Sequence, residues 1–130
     1  MSENKYNLTE EWIVQAEYDL ETAEALFKAG RYIYTVFMCH LSIEKALKGL
    51  YAKKFKKDPP KIHDLIYLVK KIELLIQDPH QDFLKILNDL SVPARYPDEL
   101  EKLLKQYKND ETGGLLIQTK ELLLWLKKKL

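Results

Sequence analysis

Two arginines stand against nineteen lysines in this chain, and one of them, Arg95, sits in SVPARYPDE (91–99) between Pro93 and Pro97. A guanidinium is a planar fork of donors that suits carboxylates and phosphates, and an ammonium is not its equivalent. Two roles follow from its chemistry. With Lys45 or Lys48, Arg95 would receive a phosphate of a nucleotide or RNA. Alternatively it pins its own loop by pairing with a carboxylate, for which Asp19 and Glu44 are the natural partners. Other chemistry fails on spacing. His40, His63 and His80 fall in different segments, and the single Cys39 cannot complete a thiolate zinc site. There is no Glu-x-x-His pair of the kind that builds di-iron sites in bundles. His40 and Glu44, four apart, read as a hydrogen-bonded helical pair rather than half a metal site. The glycines at 30, 49, 113 and 114 form no phosphate-binding loop. Cys39 lies on an apolar stripe, where a thiol is inert. Neither a metal nor a cofactor is expected.

The elements that must hold these residues are helices. Leu8-Thr9 followed by Glu10 and Glu11 predicts a helix start, with Thr9 as N-cap and Leu8 and Ile13 as a hydrophobic staple. Trp12, Ala16, Ala23, Leu26 and Phe27 continue at helical spacing until Gly30. Asp19 lies on that apolar side. An unpaired buried charge is costly, so Asp19 is expected to be buried and paired with helix 2 or the 91–99 loop. The second helix, about 31–56, carries one stripe of Val36, Cys39, Ile43, Ala46, Leu47 and Leu50. A second face holds Ile33, Phe37, His40, Leu41, Glu44, Lys48 and Tyr51. Apolar residues over most of its circumference predict packing on more than one side.

DPPKIHDL breaks the chain, because proline does not suit a helix interior. A third helix places Leu65, Leu68, Ile72 and Leu75 in register. Pro79 is expected at the first position of a short fourth helix that buries Phe83, Ile86, Leu87 and Leu90. After the Arg95 loop, Asp98 and Glu101 form a D-x-x-E capping pair ahead of Leu100, Leu103, Leu104 and Tyr107. A break from Asn109 through Gly114 precedes a last helix with Leu115, Leu122, Leu126 and Leu130 inward and Ile117, Leu124 and Trp125 elsewhere. No strand pattern is found. The expectation is one all-α domain over 1–130, an antiparallel bundle of about five helices.

Composition agrees. The chain is 46% hydrophobic and 32% charged, the balance of a soluble globular protein. No apolar run approaches the ~20 residues that span a bilayer, and the first residues lack a signal-peptide core, so a cytoplasmic location is expected. Net charge is only +1, yet residues 31–71 hold ten bases against three acids, most of them in or near KKFKK (53–57). Such a patch is either a solvated helix end or an attractor for a nucleotide, RNA or an acidic protein.

In order and spacing the segments resemble the HEPN domains. The resemblance rests on W-x3-A-x2-DL-x2-A (Trp12, Ala16, Asp19, Leu20, Ala23), GRY (30–32), IEKALKGL (43–50), HDL (63–65), ARYPD (94–98) and the Leu-Trp-Leu-rich last helix. It implies a small helical bundle that pairs into a homodimer. It also implies partnership with a separately encoded minimal nucleotidyltransferase in a toxin–antitoxin-like pair. Many HEPN proteins are metal-independent ribonucleases using Arg-x4–6-His. Here the required positions after Arg95 hold Leu100, Glu101 and Lys102, and those after Arg31 hold Val36, Phe37 and Met38. The motif does not occur.

The sequence therefore supports a non-catalytic nucleotide-binding or interaction module. Arg95, Lys45 and Lys48 are its candidate phosphate ligands, and Asp19, Glu44, His40, His63 and Asp98 its candidate polar network. The rival is a divergent ribonuclease toxin built from Arg95 with His63 or His40. No DNA-binding motif and no membrane contact are expected.

Overall fold

The computed structural model describes residues 2–90 and 97–130, and there the chain is all-helical. The elements are α1 (Ser2–Lys28), α2 (Tyr32–Phe55), α3 (Leu65–Lys71), α4 (His80–Asn88), α5 (Pro97–Gln106) and α6 (Asn109–Lys127). No strand occurs among the described residues, and none of their helices is long and apolar enough to cross a membrane.

α1 starts well before Thr9. The preceding SENKYN contains neither glycine nor proline. A helix already nucleated by packing propagates backward through such residues, so the capping signature lies mid-helix and Leu8 and Ile13 bracket no helix start. The C-terminal end follows its sequence signal. Gly30 takes a left-handed φ of 76°, with Gly30 N–H donating to the Phe27 carbonyl and Arg31 N–H to that of Leu26. This doubly bonded glycine cap turns the chain directly into α2.

α1 and α2 pack closely because small residues line the seam. Ala16, Ala23 and Ala46 have no exposed surface. A Cβ at Gly49 would lie 3.2 Å from Trp12 Cβ and 3.3 Å from Ile13 Cδ1. A buried hydrogen bond crosses the seam, from Ser42 Oγ to the Ala16 carbonyl at 2.7 Å. α6 lies antiparallel to α1, its register marked by Lys127–Glu17 at 3.2 Å and Lys120–Glu24 at 3.4 Å. α2 is consequently enclosed. Val36, Cys39, Ile43, Ala46 and Leu47 are fully buried on one face, while Ile33, His40, Glu44, Lys48 and Tyr51 are buried on the other.

The expected break at 109–114 is absent, since α6 runs through both glycines. Gly113 is small because Phe27 lies against it, with Cζ 3.2 Å from where a Cβ would stand. At the other end of α6, Leu130 is only partly covered, whereas Leu116 and Leu123 join the core.

The short helices depart furthest from their sequence registers. Asp64 caps α3 by accepting the Tyr67 N–H at 3.1 Å. Asn88 of α4 locks the pair, accepting the Leu65 N–H at 2.7 Å and donating to Asp64 at 3.2 Å. α3 then ends at Lys71 and Glu73 turns left-handed (φ 55°). That turn takes Leu75 out of register, leaving it 88% exposed. Pro79 is the N-cap of α4 rather than its first residue, following a cis Asp78–Pro79 peptide. Phe83, Leu87 and Leu90 are buried as expected, but Leu84 joins them inside and Ile86 faces out. In α5, Leu103 is buried and Leu104 half exposed. Asp98 lies within the first turn of α5, after Pro97, so it is not the expected cap, though its charge still suits a helix N-terminus.

Candidate functional site

Glu44 is the centre of the buried polar chemistry. It is 3% exposed, and a carboxylate that deep must be paired and hydrogen-bonded. Helix periodicity supplies two neighbours, one turn away on either side. Lys48 Nζ donates to Oε2 at 3.0 Å, and His40 Nδ1 stands 3.7 Å from Oε1, beyond hydrogen-bond range. The third neighbour comes from another part of the chain. His63, just before α3, brings Nδ1 to 3.0 Å from Oε1 and 2.9 Å from Oε2. A carboxylate only accepts, so the Nδ1 proton is assigned to this bond and Nε2 is left on a ring that is 73% exposed.

His40 differs from His63. Burial pushes its pKa down to about 4, outweighing the upward pull of Glu44, so the imidazole is neutral at pH 7. The Lys48 ammonium also lies 5.8 Å from the centroid of the Trp12 ring on α1, within cation–π range. The Trp12 Nε1 and His40 Nε2 atoms are buried without a hydrogen-bond partner among the described residues.

Another ion pair joins α2 to α1. Lys45 Nζ lies 2.8 Å from Asp19 Oδ2. The approach falls outside hydrogen-bond angles, and the short distance identifies it as an ion pair. Asp19 is 5% exposed, as its place on the apolar side of α1 requires. Lys45 keeps 19% of its side chain in solvent.

The candidate residues thus fall into two sets. Asp19 and Lys45 form one, and Glu44, Lys48, His40 and His63 the other. Asp98 is exposed on α5 and joins neither set among the described residues. Arg95 lies outside the described residues. Trp12 was expected only as an apolar residue of α1. Its position seven residues before Asp19 on the same helix side was the available signal that it faces α2 as well. No group of three or more metal-ligating side chains comes together among the described residues. Cys39 is inert, its thiol pushed up to about 12 by burial.

The HEPN domain model matches residues 9–130, spanning both sets and all of α2 to α6. The chain belongs to the HEPN family. Two solved structures share the HEPN chain's fold. TT1696 from Thermus thermophilus has a TM-score of 0.79 at 22% identity, covering 95% of this chain and 99% of its own. ST0689, an archaeal HEPN homologue, has a TM-score of 0.64 at 23% identity, covering 93% and 96%. No curated protein matches the chain.

Proposed function

We propose that this HEPN protein is a non-catalytic binding module. In this reading it is a cytoplasmic homodimer that partners a minimal nucleotidyltransferase in a toxin–antitoxin-like pair and receives a nucleotide phosphate near Arg95, Lys45 and Lys48. The observation that carries the non-catalytic part is in the sequence: neither arginine is followed by histidine at the ribonuclease spacing. Without that histidine the family's means of proton transfer beside a phosphate-stabilising arginine is missing. The geometry is consistent with binding, because each lysine already faces a carboxylate. An incoming phosphate would exchange with that carboxylate, so each lysine is charge-balanced until the ligand arrives.

The proposed dimer needs an apolar surface. The mixed face of α2 is largely covered within the fold, and of the exposed apolar residues that remain, those on the long helices α1 and α6 are the ones we assign to the contact. Val14 and Tyr18 on α1, with Ile117 and Leu124 on α6, are each more than half exposed. Apolar residues gathered on neighbouring helices mark a contact surface.

Labelled RNA mixtures, incubated with wild type and Arg95→Ala side by side, test the non-catalytic part. No cleavage is expected, together with ATP binding that Arg95→Ala weakens in calorimetry. Robust cleavage abolished by the substitution would overturn the reading. For the partner, a tagged chain purified from its native cells should carry a small nucleotidyltransferase identified by mass spectrometry. Recovery of the chain without any such protein counts against the pairing.

One observation favours the rival ribonuclease. Glu44 orients His63 with Nε2 facing solvent, the arrangement of a carboxylate-held general base. Cleavage that survives Arg95→Ala but is lost in His63→Ala would establish that reading instead.

A further inference from the structure

We infer that the end of the bundle where α2, α3 and α6 terminate grips the phosphate backbone of a single-stranded nucleic acid, independently of any nucleotidyltransferase partner. Three lysine runs far apart in sequence meet there. The Lys54 ammonium donates to the Ile72 carbonyl at 2.8 Å, tying the end of α2 to the end of α3. A small cleft lined by Lys53, Lys54, Ile72, Leu74 and Lys129 adds the end of α6. Residues 53–58, 70–73 and 127–130 together hold nine lysines against Asp58 and Glu73; with Glu10 of α1, which shares a cleft with Lys53 and Lys56, the net is +6 in a chain whose whole charge is +1.

Helix dipoles do not account for this excess. Each C-terminus carries roughly half a negative charge, so three helix ends call for one or two cations. Lys53, Lys57, Lys70, Lys71 and Lys128 are exposed and make no salt bridge among the described residues. Phe55 stands among them, 36% exposed. Its ring is braced on Tyr51 at 4.6 Å, and Lys54 lies 5.8 Å from its centroid. Lysines around a braced aromatic ring match the way single strands are held, by phosphate contacts plus base stacking. A membrane surface would call for a broad apolar wedge; here Ile72 and Leu74 line a cleft among lysines, leaving Leu75, Phe55 and the partly covered Leu130 as the exposed apolar side chains. An acidic protein would make no use of the ring.

The test is fluorescence anisotropy of the full chain with a labelled single-stranded RNA of about sixteen nucleotides. Binding should weaken between about 50 and 200 mM salt with a log–log slope near −3 to −4, as for about five phosphates. Combined Lys53→Glu, Lys57→Glu and Lys128→Glu should reduce affinity at least tenfold and lower the slope by about 2. Lys28→Glu, at the opposite end of α1, should leave both unchanged. All four positions are exposed, and thermal melts check that the variants fold. Phe55→Ala should weaken single-stranded RNA more than duplex RNA of equal length. Absence of binding at the lowest salt overturns the proposal, as does binding indifferent to the triple reversal. So does preference for polyglutamate or phosphatidylglycerol vesicles over RNA.

Discussion

Lys48 and Lys53 stand five residues apart on α2, and the molecule handles their charges in opposite ways. Lys48 is 6% exposed, with a carboxylate at 3.0 Å and an indole ring beside it. Lys53 is exposed at a cleft rim and makes no salt bridge among the described residues. In the middle of α2, charge is enclosed and neutralised; at its end, charge accumulates and faces water. The enclosed lysine is bound up with folding, because a buried charge that loses its partner is strongly destabilising. The exposed lysines are nearly free of that constraint, and their field acts on whatever approaches from solution.

Removing the partner is the strongest way to break this contrast. Glu44→Ala strands Lys48 in the interior and releases His63, with an expected loss of about 3–5 kcal/mol in urea unfolding. Lys53→Ala with Lys57→Ala should stay within about 0.5 kcal/mol of wild type. Equal costs for the two variants would mean that Glu44 is not the buried hub described above.

Next in size is a pH effect centred on His40. Its pKa falls from 6.5 in the unfolded chain to about 4 in the folded one, so between those values the unfolded state binds more protons. This contribution to stability is fully present above about pH 6.5 and is lost as pH falls toward 4. The loss is on the order of 3 kcal/mol, about 1.4 kcal/mol for each pH unit. Glu44, Lys48 and His63 face the same ring. Thermal melts of His40→Phe against wild type should therefore show a shallower acid slope in the variant.

Asp19→Ala is expected to cost less than Glu44→Ala, about 1–3 kcal/mol. The lysine it abandons, Lys45, keeps 19% of its side chain in solvent, against 8% for Lys48. If the two carboxylate deletions proved equally damaging, solvent contact at Lys45 would not be what separates the pairs.

The smallest effect contrasts adjacent glycines of α6. Gly114→Ala meets nothing within 4 Å and should stabilise by about 0.5–1 kcal/mol, the ordinary helical advantage of alanine. Gly113→Ala gains the same propensity but must displace the Phe27 ring, so its melting temperature should fall below that of Gly114→Ala.

These glycines also show what was legible in the sequence. A Gly-Gly pair signals a break when only local propensity is weighed, but in α6 one of the pair is selected by a ring from α1, a contact no local pattern contains. Thr9 misled for a related reason, since a capping signature marks where a helix is able to start, and upstream residues that tolerate helix can override it. The long helices were readable because their faces repeat over many turns. The enclosure of α2 followed from its apolar circumference, and the burial of Asp19 from its register. α3 and α4 offer only about two turns each, too few for the period to fix the phase, hence the misplacement of Leu75 and Ile86. In the site, the i,i+4 neighbours of Glu44 were visible from spacing alone. The bond from His63 was not, because it depends on how the segment before α3 folds back onto α2.

Cys39 has a consequence for how the molecule can be watched. Its thiol is fully enclosed on α2, close to Thr119 of α6, and held protonated far above neutral pH. As the chain's one sulfhydryl, it is a built-in clock for the parting of those two helices. A maleimide pulse reacts with it only during moments of opening, so the labelling rate at several reagent concentrations reads out opening and closing without any foreign probe.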